Sequence, residues 1–107
     1  MKTQNAIANS QSAKSKGEFY RIVNCCAIVF KVEAEDLMRQ DRHREFVDAR
    51  HAAWYIVREK LEWTYQRIAD VFERDRVTVM AGISKIENML SIYPEFERQI
   101  NNIRNIL

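Results

Sequence analysis

Residues that reverse a chain are scarce here: 107 residues hold two glycines, Gly17 and Gly82, and one proline, Pro94. An architecture of many tight turns needs residues that tolerate left-handed backbone or fix φ, so a sandwich or barrel of short strands is excluded. Almost no window alternates at period two, which removes half-buried strands as well. The expected fold is all-α: a compact domain of five or six helices.

Other absences exclude activities. Neither glycine stands in the glycine-rich, lysine-bearing context of a phosphate-cradling loop, so no nucleotide ligand and no nucleotide hydrolysis are expected. The two cysteines, Cys25 and Cys26, are adjacent, and neighbouring helical residues point apart, which argues against a disulfide between them. They read as small buried apolar residues in a reducing cytoplasm, and no spaced Cys/His set accompanies them, so no metal and no cofactor are expected. His43 and His51 lie in a charged stretch without a carboxylate pair or nucleophile and read as surface imidazoles, so no enzyme is expected.

The beginning of the chain, MKTQNAIANSQSAKSKG, lacks any apolar run and is neither a secretion signal nor a membrane span. Residues 1–17 read as a flexible leader carrying Lys14 and Lys16, and 18–107 as the folded domain. With 47% hydrophobic residues that domain has enough apolar surface for one core. The net charge of +2, from 17 basic and 15 acidic side chains, permits a nucleic-acid partner without requiring one.

What is present is helical periodicity. Phe19, Ile22, Val23, Cys26, Val29 and Phe30 trace one stripe. Glu33 to Asp36 suggest a fresh helix start with acids at the positive end of its dipole, anchored by Leu37 and Met38. Arg39 to Glu45, RQDRHRE, has no apolar residue and reads as a loop that presents Arg39, Arg42, His43 and Arg44. A long helix resumes over Phe46 to Leu61, with alanines at 49, 52 and 53 that allow close approach, and Trp54 and Tyr55 as its bulky packing residues. Thr64 is the expected N-cap of the next helix. Past Leu90, Ser91 is expected to cap or turn, Pro94 fits a first-turn position, and Phe96, Ile100, Ile103 and Leu107 make a last amphipathic helix.

Tyr65 to Leu90 is the stretch that suggests a function. Tyr65, Ile68, Ala69 and Phe72, then Val79, Ile83, Ile86 and Leu90, form two apolar stripes joined by a turn too short to be a linker. This is the pattern of a helix-turn-helix, whose second helix keeps a free face that begins at Arg74, Asp75, Arg76, Val77 and Thr78.

Taken in order, EDLM, RQDRHRE, ARHAAWYIVREKL and YQRIADVFERDRVTVMAGISKIENML, the chain resembles the C-terminal DNA-binding domain of the bacterial chromosomal replication initiator, the DnaA family. RDRVTV resembles that family's RDHxTV signature, with Arg74, Asp75, Thr78 and Val79 matching and Arg76 in place of histidine, and Lys85 to Glu87 follow at the expected distance. The resemblance implies a double-stranded DNA partner, with the signature at the start of a helix that enters the major groove. It also implies an arginine-rich loop before the long helix that meets backbone and minor groove. Arg76 then pairs with guanine O6 and N7, Asp75 accepts from cytosine N4, Val77 meets a thymine methyl and Thr78 holds a phosphate. Arg39, Arg42, Arg44, Arg50 and Lys85 are the implied phosphate contacts.

There are departures from the family pattern. Only Glu73 stands in the turn where the family often has two glycines, Ala81 replaces a longer polar side chain, and Asp41, Glu45 and Asp48 interrupt the basic loop. The family's nucleotide-binding domain has no counterpart in these residues, which suggests a fragment or a free-standing regulatory relative. The alternative is a helical protein-interaction module that keeps the fold without the groove contacts.

Overall fold

The computed structural model describes residues 17–39 and 43–107. All regular structure among the described residues is helical: α1 over 17–30, α2 Ala34–Met38, α3 Arg44–Leu61, α4 Tyr65–Phe72, α5 Arg76–Ile92 and α6 Pro94–Ile106. The expected leader lies outside the described residues except for Gly17, which is already helical.

α1 buries the stripe its sequence displays. Phe19, Ile22, Val23 and Cys26 face the core, and Cys25 and Ala27 widen the buried strip. Both thiols are free and buried. Burial, and Cys25 next to it, push the Cys26 thiol above its ordinary range, so it stays protonated and unreactive. α1 ends where Lys31 takes a left-handed φ of 59°, and α2 starts at once, the Asp36 side chain accepting from the Glu33 N–H at 3.2 Å.

α3 is the central helix. Ala49, Ala52, Ala53, Trp54, Ile56 and Val57 are buried, and contacts with α2, α4 and α5 surround it. Its small residues let those neighbours come close. The closest approach is at Gly82 of α5, where a Cβ would lie 2.8 Å from Cε3 and Cζ3 of Trp54 and from Cδ2 of His51. Only hydrogen fits between α5 and α3 at that point.

Aromatic rings knit α1, α3 and α4 together. Phe19 stacks on Trp63 at 5.1 Å between centroids and meets Phe72 edge-on at 5.6 Å, while Phe72 meets Trp54 edge-on at 5.7 Å. Each such side chain contributes about 1.5 to 3 kcal/mol by leaving water. On the far side α6 buries Phe96, Ile100 and Ile103, and Arg104 clamps it to α3 with bonds of 3.1 and 2.6 Å to Glu59 and 3.3 Å to the Tyr55 hydroxyl.

The short connections follow local chemistry. Thr64 caps α4 as its sequence position requires, its Oγ1 accepting from the Arg67 N–H at 3.1 Å. Pro94 takes the first position of α6. Ser91 departs from expectation: it lies inside α5, its hydroxyl donating to the Asn88 carbonyl at 2.8 Å. That bond to the preceding turn is compatible with helix, so α5 continues to Ile92 and stops at Tyr93, ahead of the proline.

Candidate nucleic-acid interface

The α4–α5 pair is built from residues whose roles are separable. Ile68, Ala69 and Phe72 bind α4 to the core, and Val79, Gly82, Ile83 and Ile86 do the same for α5. Residues 73–75 connect them, and the reversal is made at Glu73, at a left-handed φ of 55°. Its geometry is held by the Arg74 N–H donating to the Ala69 carbonyl at 2.8 Å and the Glu73 N–H to Asp70 at 3.3 Å.

Because the buried residues of α5 recur every three or four positions, the opposite face is committed to solvent. Arg76, Val77, Thr78, Met80, Ala81, Ser84 and Asn88 are exposed, with Val77 70% and Met80 41% accessible although both are apolar. Asp75 is the N-cap residue, and its carbonyl accepts from the Val79 N–H at 3.1 Å. Its carboxylate makes no capping bond and stays exposed at the head of the helix.

The implied phosphate contacts fall into three groups. Arg44 opens α3 on the surface. Arg39 is exposed beside Glu35 and Asp36, at 3.9 and 3.8 Å, and the Lys85 amine lies 4.0 Å from the Asp48 carboxylate across the α3–α5 contact. Arg42 lies outside the described residues.

Arg50 and Arg74 require correction. Arg50 is only 3% exposed, its Nε donating to the Leu37 carbonyl at 2.8 Å and its Nη2 to Asp36 at 3.1 Å and Arg39 at 2.8 Å. A guanidinium satisfied by the last carbonyls of α2 caps that helix from inside and has no surface to offer a phosphate. Arg74, half-buried, donates to Phe72 at 3.1 Å and to the same Arg39 carbonyl at 2.7 Å. It holds the turn to the end of α2, not the outer face of α5.

His51 is corrected too. It is not a surface imidazole: its ring sits 5.0 Å from that of Trp54 under Gly82, and its Nδ1 is buried without a hydrogen-bond partner. Burial, then the positive charges of Lys85, Arg50 and Arg74, lower its pKa to about 4. The same neighbours show that these three cations, from α3, the turn and α5, converge on one corner of the molecule.

Sequence reasoning did not place Gly82, His51 and Asp48 at the α3–α5 contact. Gly82 carried a usable signal, a glycine inside an otherwise strong helical period, which marks a close approach. The other two depend on which helix lies across from them. Among the described residues, no three His, Cys, Asp or Glu side chains gather as metal ligands, and no helix is long and apolar enough to cross a membrane.

Residues 19–86 match the family described as the bacterial dnaA protein helix-turn-helix. Similar curated proteins include chromosomal replication initiator protein DnaA 1 of Chlamydia pneumoniae, 37% identical over 65% of this chain and 15% of that protein. DnaA of Pseudothermotoga lettingae is 31% identical over 78% of this chain and 19% of its own length. DnaA 2 of Protochlamydia amoebophila is 29% identical over 81% of this chain, again 19% of the relative. The chain thus spans less than a fifth of the length of these relatives. The matched residues begin with the α1 stripe and end at Ile86 on the buried face of α5, and the chain belongs to the bacterial DnaA helix-turn-helix family.

Proposed function

We propose that this chain binds double-stranded DNA and reads sequence with the exposed start of α5, in a cytoplasmic role tied to replication initiation or to regulation. The observation that carries the reading is the division of labour on α5. Val79, Gly82, Ile83 and Ile86 fix the helix, while Asp75, Arg76, Val77 and Thr78 stand clear of the core at its N-terminal end. A helix held in this way can enter a major groove end-first. Arg76 supplies parallel donors for guanine O6 and N7, and Asp75, uncommitted to capping, accepts from cytosine N4. Val77 meets a thymine methyl, Thr78 holds a phosphate, and Arg39, Arg44 and Lys85 supply further backbone contacts.

Selection from random duplexes, followed by competition between the selected site and its single-base variants, tests this. Arg76→Ala is expected to lose about 1 to 3 kcal/mol and to flatten preference at one base pair, whereas Thr78→Ala weakens every site alike. An unchanged preference profile in a folded, binding Arg76→Ala protein would remove α5's first turn from the reading surface. One observation favours a second reading, a protein-interaction module: Arg39 and Lys85 face carboxylates in a chain of net charge +2. Absence of duplex binding even at low salt selects that reading.

A further inference from the structure

The arginines expected to touch phosphate include one that no duplex can reach. Arg50 lies on α3, and the carbonyls it binds, Asp36, Leu37 and Arg39, belong to the end of α2 and the residue after it. Of these, the Arg39 oxygen also accepts from Arg74, which sits two residues ahead of Arg76 and bonds the Phe72 carbonyl at the end of α4. One carbonyl is therefore the meeting point of α2, α3 and the turn that launches α5. On the next residue of α3, His51 carries the contact onward to Gly82 of α5.

We infer that Arg50 is a positioning residue for DNA reading: through the Arg39 carbonyl shared with Arg74 it fixes the aim of the first turn of α5. The inference rests on the proposed DNA reading and adds the part that sets its geometry. A guanidinium suits this work because its planar fork addresses several carbonyls at once, from a fixed direction. A lysine amine keeps the charge and lacks the fork. The carbonyls also lie at the negative end of α2, where a cation is favoured without a carboxylate having to be held nearby. Arg74 follows the same logic from the other side: it is tied to backbone on both sides of the turn, so the direction in which α5 leaves is coupled to α2.

The experiment uses the full chain with Arg50→Lys, Arg74→Lys and the double variant. Each is followed by thermal unfolding, by amide resonances of the free protein, and by affinity for the selected duplex and a scrambled duplex across a salt series. Arg50→Lys is expected to shift the amide resonances of residues 74–77, in a different helical region from the substitution. It should also reduce the ratio of selected to scrambled affinity by about tenfold, with the salt slope unchanged because the lysine keeps the charge. The double variant should lose little more than either single one, since both act through one oxygen.

An equal loss of affinity for the selected and the scrambled duplex would make Arg50 a phosphate contact and overturn the inference. So would a folded Arg50→Lys protein with its discrimination ratio intact, which is the result of a purely stabilising role. Should Arg50→Lys fail to fold, Arg74→Lys tests the same junction from the more exposed side, and an intact ratio there overturns the inference equally. Failure of the wild-type chain to bind either duplex sinks the DNA reading itself, and is told apart from these outcomes because it needs no variant.

Discussion

Arg50 and Arg74, from different elements, donate to one and the same oxygen, the Arg39 carbonyl, at 2.8 and 2.7 Å. The two bonds are unequal in what their loss exposes. Arg74→Ala leaves that carbonyl with Arg50 as donor and is expected to cost about 1 kcal/mol. Arg50→Ala strands the Leu37 and Asp36 carbonyls and opens a buried void, so a loss of about 3 kcal/mol or more is expected. Urea unfolding of both variants checks the order, and equal losses would contradict it.

Gly82→Ala tests the closeness of α5 to α3. An alanine gains roughly 1 kcal/mol of helix propensity over glycine, but its Cβ meets rigid ring atoms of Trp54 and His51 at 2.8 Å. Overpacking of that kind costs about 1 to 3 kcal/mol, so a net destabilisation of about 0 to 2 kcal/mol is expected. A variant more stable than wild type would mean that the rings yield without strain.

Asp48→Asn isolates the carboxylate that faces Lys85 at 4.0 Å. Removing its charge leaves the amine for a phosphate and lifts a repulsion on the approaching backbone. Binding to all duplexes is expected to tighten on the order of threefold, with a salt slope larger by up to about one. Unchanged affinity across the salt series would place the Asp48–Lys85 corner outside the contact surface.

His51 makes stability fall in mild acid. Its pKa is lowered from 6.5 to about 4 by burial and then by Lys85, Arg50 and Arg74, so the unfolded chain binds the proton more readily than the folded one. The contribution is therefore complete above pH 6.5 and is lost as pH falls from 6.5 to about 4. After allowance for solvent screening of a partly exposed ring, the loss is about 1 to 2 kcal/mol. Comparison of wild type with His51→Gln at pH 7 and pH 4.5 should show this component vanish in the variant; an identical pH dependence would assign it to other groups.

What could be read from the sequence was what is decided within a turn or two of the chain. Ile68 and Phe72 face inward because their spacing leaves them no other face, and Thr64 caps because its hydroxyl and the Arg67 N–H are neighbours. Arg50 was illegible for the complementary reason. In RQDRHREFVDAR it looks like the exposed Arg39 and Arg44 near it, and the carbonyls that bury it come from 11 to 14 residues away. His51 and Asp48 take their character from α5, more than thirty residues further on, and no local pattern announces such a neighbour. The outward face of α5 was readable as a face, but the apolar exposure of Val77 and Met80 on it appears only once the core has been assigned.

Glu73 makes the turn between α4 and α5 in a conformation that glycine adopts freely and other residues adopt reluctantly. A glutamate placed there has few alternative backbone states nearby, and the Ala69 and Asp70 carbonyls hold it in the one it uses. The two helices consequently meet any partner as a preorganised wedge whose opening angle is settled when the chain folds. Little chain entropy remains to be lost at that turn on association, so rigidity at one residue favours a fast, lock-and-key encounter over an induced fit.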